Sequence, residues 1–128
     1  MSLFYLGGSG KILSRYLATQ RNREFVTLGR DRANLLYFNL LSMTANDIEC
    51  NLGRALSHLD RFFIFSAISS PDDCAKNLTL SRKINCEATS RLTAELLERG
   101  VKVVYTSSDA VYEACESVAD ELTGRSPL

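Results

Sequence analysis

The sequence has no C-x-x-C pair, one histidine, no apolar run of membrane-spanning length and no excess of either charge. Cys50, Cys74, Cys86 and Cys115 are too widely spaced for a zinc site or a disulfide framework, so they read as small reduced thiols, buried or half-buried. His58 stands alone in a polar helix-to-strand connection, without a second ligand of its kind, and no metal is expected. Fifteen basic residues balance fifteen acidic ones, which leaves no electrostatic footprint for nucleic acid or an anionic membrane surface. The first residues do not read as a signal peptide, and no stretch is apolar enough to span a bilayer. With no disulfide pattern either, the cytoplasm is the default compartment. There is no repeat, low-complexity tract or internal linker to divide the chain, so residues 1–128 are expected to form one domain.

What is present suits a folded globular domain. A chain of 128 residues that is 45% hydrophobic and 23% charged has the size and composition to bury a real core. It is organised around Leu3-Phe4-Tyr5-Leu6-Gly7-Gly8-Ser9-Gly10-Lys11-Ile12-Leu13, an apolar run that meets three glycines and resumes with Tyr16 and Leu17 at helical spacing. That pattern predicts a buried strand, a tight turn and a helix. Glycine lets a ligand approach the main chain, and the helix N-terminus that follows offers unpaired N–H groups to a phosphate.

The rest of the chain alternates in type. The first helix is expected to run to about Gln20. Strands are expected over Glu24–Leu28, stopped by Gly29, and over Asn34–Leu40. Thr44 and Asp47 resemble a capping box that opens a helix through Ile48, Leu52, Ala55 and Leu56. Arg61–Phe65 is apolar enough for a strand buried on both faces. One long helix is expected over Asp73–Arg99, with Leu80, Ile84, Ala88, Leu92 and Leu96 as its core stripe and Gly100 as its stop. Val101–Tyr105 reads as a fifth strand, and Glu113–Leu128 is polar with weak periodicity. Strands alternating with helices imply α/β architecture: a Rossmann-type, three-layer, doubly wound parallel sheet. Ligands of such sheets bind beyond the carboxyl ends of the strands, where Gly7–Gly10, Gly29-Arg30, Ser66-Ala67 and Ser107-Ser108-Asp109 fall.

These stretches resemble one family in order and spacing. Leu-Gly-Gly-Ser-Gly-Lys-Ile-Leu at 6–13 resembles the T-G-G-x-G-x-I-G opening of the extended short-chain dehydrogenases, the epimerases, dehydratases and reductases of nucleotide sugars. Leu28-Gly29-Arg30-Asp31 is similar to the end of their second strand, Asn39-Leu40 to the D-L after their third, and Phe65-Ser66-Ala67 to the H-A-A after their fourth. Asn85 matches an Asn in their long helix, and Val104-Tyr105-Thr106-Ser107-Ser108-Asp109-Ala110-Val111-Tyr112 resembles their V-Y-x-S-S-x-x-V-Y signature. Leu13 departs from the third glycine, which implies a wider helix–strand separation there. Leu6 replaces the opening Thr, Asn39 the Asp, and Glu113 the Gly after V-Y. The family's catalytic Tyr-x-x-x-Lys is absent, and Glu121–Leu128 looks like the segment leading into it, so the chain is expected to be the amino-terminal half of a larger enzyme.

The resemblance implies a nicotinamide dinucleotide as cofactor and a nucleotide sugar as substrate, and it is compatible with a homodimer. Gly7, Gly8, Ser9 and Gly10, with the amides near Lys11 and Ile12, would cradle the pyrophosphate; the Lys11 side chain would reach a phosphate or stay solvated. At the end of the second strand, where NAD-binding forms carry a carboxylate, Gly29 is followed by Arg30. A guanidinium pairs with a phosphate, so this favours the 2′-phosphate of NADP. Asp31, about 20 residues past the glycines, keeps NAD as the alternative, and a surface Arg30 paired with Asp31 is the plain structural reading. By resemblance, Ser108 would hydrogen-bond the reacting sugar oxygen, with Ser107 as fallback. Asp109 would contact sugar hydroxyls or cap a turn. Asn39, Leu40, Ser66, Ala67 and Asn85 are assigned to the cofactor side on the same ground, with a turn as the alternative role of Asn39. A catalytically silent Rossmann-like module for NADP sensing or assembly is the rival reading.

Overall fold

The computed structural model describes residues 2–7, 11–20, 24–65 and 71–106. Its elements are β1 (Leu3–Leu6), α1 (Lys11–Thr19), β2 (Phe25–Gly29), β3 (Leu36–Tyr37), α2 (Ala45–Leu52), β4 (Arg61–Ile64), α3 (Pro71–Lys76), α4 (Leu78–Arg82), a π-helical stretch over Lys83–Ala88, α5 (Thr89–Glu98) and β5 (Lys102–Tyr105). The five strands form one sheet in the order β3-β2-β1-β4-β5, and every pairing is parallel. That is the first five strands of the Rossmann order, with its reversal of direction between β1 and β4.

Alternation along the strands feeds two cores. On one face Phe4, Leu6, Leu28, Phe62 and Ile64 pack with Ala45 and Ile48 of α2 and with Leu92 and Leu96 of α5. On the other, Leu3 and Tyr5 pack with Leu13 and Leu17 of α1, with Phe25 and Phe63 against them. Helices therefore cover both faces of the sheet, which is the doubly wound arrangement expected. Tyr5 anchors the second core, its ring stacked on Phe63 at 4.9 Å and edge-on to Phe25 at 6.1 Å; aromatic pairs of this kind add to area burial.

Several boundaries differ from the sequence-based expectation. The third strand shrinks to Leu36–Tyr37, because Asp31–Leu35 form a hydrogen-bonded loop. Helix α2 has its capping box, with Thr44 N–H donating to Asp47 Oδ2 at 2.7 Å, but it ends at Leu52. Gly53 (φ 66°) turns the chain left-handed, so Ala55 and Leu56 lie beyond the helix. Strand β4 is fully buried on one face only: Phe62 and Ile64 are in the core, while on the other Phe63 is half-buried against the second core and Arg61 and Phe65 are exposed. The single long helix breaks at Asn77, whose backbone leaves helical geometry and whose side chain accepts the Leu80 N–H at 3.0 Å. Asn competes with the helix for backbone hydrogen bonds in this way. Of the expected stripe, Ala88, Leu92 and Leu96 are buried, Ile84 is partly so, and Leu80 is exposed. Gly100 (φ 76°) does stop the helix.

Polar ties orient α2 and α5. Glu95 Oε2 accepts the Ala45 N–H at 2.8 Å, capping the start of α2 from the partner helix. Arg91 Nη2 donates to the Leu40 carbonyl at 2.6 Å. Glu49 accepts the Leu56 N–H and pairs with Arg99 Nε at 3.1 Å; that N–H first, and Arg99 after it, hold its carboxyl below the usual range against the effect of burial. Cys50 and Cys86 differ from expectation in being exposed, Cys74 is half-buried as expected, all three are reduced thiols, and Cys115 lies outside the described residues.

Candidate functional site

The carboxyl ends of four strands come level along one edge of the sheet. Leu6 is in register with Leu28 and Ile64, and Ile64 with Tyr105. The ladder continues one step past each strand: Gly7 N–H donates to Leu28 O at 2.8 Å, Phe65 N–H to Leu6 O at 3.0 Å, and Thr106 N–H to Ile64 O at 3.3 Å. Gly7 has φ 92°, a conformation side-chain-bearing residues avoid, so the glycine is required for the chain to leave β1 as it does. Four residues later α1 begins at Lys11, whose side chain is exposed. The strand-to-helix turn thus falls at the switch point between β1 and β4, where such sheets bind ligands. Gly8, Ser9 and Gly10, in the middle of that turn, lie outside the described residues, as do Ser66 and Ala67 after β4 and Ser107, Ser108 and Asp109 after β5.

Leu13, which stands at the third glycine of the fingerprint, is buried in one cluster with Leu3, Tyr5 and Leu17. That third glycine serves close packing of helix on strand and not contact with the ligand. The substitution is therefore absorbed by the second core.

At the end of β2 the loop 30–35 is tightly bracketed. Ala33 N–H donates to Asp31 Oδ1 at 2.8 Å, Asn34 N–H to Asp31 O at 3.1 Å, and Leu35 N–H to Thr27 Oγ1 at 2.8 Å. One oxygen of the Asp31 carboxylate is thereby engaged in its own turn. Arg30 and Arg32 are exposed, and neither forms an ion pair among the described residues. The pairing of Arg30 with Asp31 does not form, which leaves a guanidinium beside Gly29.

The remaining described candidates take local partners. Asn39 Oδ1 accepts the Leu41 N–H at 3.1 Å, a turn within its own loop, and Leu40 is buried with its carbonyl held by Arg91. Asn85 lies in the π-helical stretch, with Nδ2 3.9 Å from Cys74 Sγ. The buried Thr89 hydroxyl donates to the Ile84 carbonyl five residues back, supporting that wider turn. Local π-helix is frequent at functional sites. Sequence reasoning passed over Asn34, which lies against Gly29; the signal was only its place in the loop after β2. Among the described residues no three His, Cys, Asp or Glu side chains gather as a metal site, and no helix is long and apolar enough to cross a membrane.

A parallel sheet of this order, with a positive-φ glycine and a helix start at its switch point, defines a Rossmann-like α/β domain. The NAD dependent epimerase/dehydratase family model matches residues 6–128, and the chain belongs to that family. Among solved structures, MoeE5 in complex with UDP-glucose and NAD is similar at 24% identity and TM-score 0.79, over 100% of this chain and 43% of that one. The UDP-glucose 4-epimerase of Thermus thermophilus in complex with NAD is similar at 18% identity and TM-score 0.79, over 99% of this chain and 45% of that one. The UDP-Glc/GlcNAc 4-epimerase of Campylobacter jejuni matches at 18% identity and TM-score 0.80, over 99% and 43%. The chain thus spans under half the length of these structures. No curated protein sequence matches it.

Proposed function

We propose that residues 1–128 are the cofactor-binding part of an NADP(H)-dependent enzyme that acts on a nucleotide sugar as epimerase, dehydratase or reductase. Family membership, and the NAD and UDP-glucose bound by proteins of similar structure, support a dinucleotide and a nucleotide sugar as ligands. The observation that carries the cofactor reading is the end of β2: Gly29 where a carboxylate would hold the ribose, an unpaired Arg30 after it, and Asp31 partly engaged in its own turn. A carboxylate there would repel a 2′-phosphate, whereas a guanidinium pairs with one.

In this reading Gly7 to Gly10 and the amides at Lys11 and Ile12 receive the pyrophosphate, and Ser66, Ala67, Asn39, Leu40 and Asn85 border the cofactor. The dinucleotide, when bound, supplies hydride exchange with the sugar. Ser108 hydrogen-bonds the reacting oxygen, with Ser107 beside it and Asp109 on the sugar hydroxyls. The proton-transfer Tyr-x-x-x-Lys does not occur in this sequence, so turnover requires a proton-transfer group from elsewhere in the whole protein.

Two outcomes are expected. Arg30→Ala lowers NADPH affinity by roughly 10- to 100-fold, the worth of a charged hydrogen bond, and leaves NADH binding nearly unchanged. Fluorescence titration reads both, and equal losses for the two cofactors contradict the assignment. In the whole protein, Ser108→Ala lowers turnover of a UDP-sugar by about 100-fold or more with cofactor affinity retained. Wild-type turnover in that variant removes Ser108 from the reaction.

A further inference from the structure

We propose that Asn34 is the specificity-determining residue of the loop after β2, receiving the adenosine ribose of a 2′-phosphorylated dinucleotide in place of an acidic side chain at position 29. The inference rests on the dinucleotide reading above and concerns how this chain departs from a carboxylate-bearing strand end.

The geometry at Gly29 is the starting point. A Cβ built on Gly29 would lie 2.7 Å from Asn34 Nδ2, 3.1 Å from its Cγ and 3.4 Å from its Oδ1. The Asn34 amide therefore fills the room that a side chain at position 29 would need. A side chain at position 29 would have to displace this amide, so the polar group nearest the end of β2 comes from the far side of the loop.

The amide is also incompletely bonded. Its Nδ2 donates to the Asp31 carbonyl at 3.1 Å, but its Oδ1 is buried and has no hydrogen-bond partner. Buried acceptors are paired in the great majority of cases, so an orphan calls for an explanation. The loop is bracketed as well by the Ala33, Asn34 and Leu35 N–H groups, which are bonded to Asp31 and Thr27. In the proposed complex the amide turns to exchange this unpaired contact for a ligand hydroxyl, at the expense of the bond from Nδ2 to the Asp31 carbonyl.

The chemistry selects the ligand. An amide both accepts and donates, as a ribose hydroxyl does, and it carries no charge. A carboxylate in the same place would bind the two hydroxyls of an unmodified ribose and repel a phosphate on one of them. Beside Arg30, a neutral amide tolerates that phosphate while the guanidinium pairs with it.

The test is titration of the full chain with NADPH and with NADH, for wild type, Asn34→Ala and the nearly isosteric Asn34→Asp, with a thermal melt of each. Asn34→Ala is expected to weaken both dinucleotides by about three- to ten-fold. Asn34→Asp is expected to lose NADPH binding by a larger factor than NADH binding, inverting or flattening the preference, while its melting temperature falls modestly with the lost bond to the Asp31 carbonyl. A purely structural role would move the melting temperature and leave the NADPH-to-NADH ratio alone. Wild-type binding that both variants reproduce, with an unchanged ratio, overturns the proposal while the dinucleotide reading stands. Failure of folded wild type to bind either dinucleotide overturns both.

Discussion

Leu13→Gly, which restores the residue of the dinucleotide fingerprint, is expected to destabilise the chain by about 4 kcal/mol. Leu13 is buried in the second core with Leu3, Tyr5 and Leu17. Truncating a buried leucine to alanine costs roughly 2–5 kcal/mol in lost burial and residual cavity, and glycine inside a helix adds about 1 kcal/mol. Domains of this kind are stable by only about 5–15 kcal/mol, so the variant would lose a large part of its margin. Urea unfolding of wild type, Leu13→Ala and Leu13→Gly separates the packing and backbone contributions. A cost below about 1 kcal/mol for Leu13→Gly would mean that the helix closes onto the strand as it does with the fingerprint glycine, and that Leu13 contributes little to the core.

The second large effect lies at the opposite edge of the sheet, where the strands begin. Asp60 is 2% exposed and accepts two hydrogen bonds from Arg54, at 2.9 and 3.0 Å, one from Ser57 N–H at 3.0 Å and one from Ser2 N–H at 3.2 Å. Arg54 also donates to Ser2 Oγ, and its guanidinium lies 6.0 Å from the Phe4 ring centre. This one carboxylate pins the entries to β1 and β4 together. Asp60→Ala removes all four of these hydrogen bonds from a buried acceptor and is expected to cost about 3 kcal/mol.

The pH dependence of that effect has a definite sign. The Arg54 hydrogen bonds hold the Asp60 carboxyl below its usual range; burial opposes them, and the Ser57 and Ser2 N–H groups reinforce them. A lowered native pKa means that the stabilisation is fully present above the ordinary aspartate value of 3.8 and is lost as pH falls through the native value. Melting temperature should therefore fall more steeply with acid below about pH 4 in wild type than in Asp60→Asn. Parallel profiles for the two proteins would remove Asp60 as the source.

The architecture was readable in the sequence because each strand carries its own signal. Leu3–Leu6 and Arg61–Ile64 are short apolar runs, and the segments between them have helical spacing. Family membership rested on the order of several weak motifs, none of which decides alone. Boundaries failed where a side chain competed with the backbone. Asn77 interrupts the long helix by capping its own next turn, and Asp31 and Asn34 draw residues 31–35 into a loop that shortens the third strand. Both are local hydrogen bonds of short polar residues, which periodicity does not register. The burial of β4 was overestimated because an apolar run does not reveal how much of each face is covered, and Phe65 is exposed.

The places of Gly7 and Arg30 in the fold were identifiable from position alone, since a glycine turn after the first strand and the residues closing the second are fixed points of this topology. The crowding of Asn34 onto Gly29 was not, because it depends on how a loop folds back across its own strand. The alternative role of Arg30, a pair with Asp31, is not formed. One oxygen of the Asp31 carboxylate accepts the Ala33 N–H two residues on, the common behaviour of aspartate at a turn.

The decisive measurement is a calorimetric titration of the folded chain with NADPH and with NADH under identical salt. Saturable binding of NADPH at least about 10-fold tighter than NADH is the expected result, from a guanidinium at position 30 and no carboxylate at position 29. Binding that favours NADH, or no binding of either by protein whose melting transition shows it folded, would contradict the reading of this edge as an NADP(H) site.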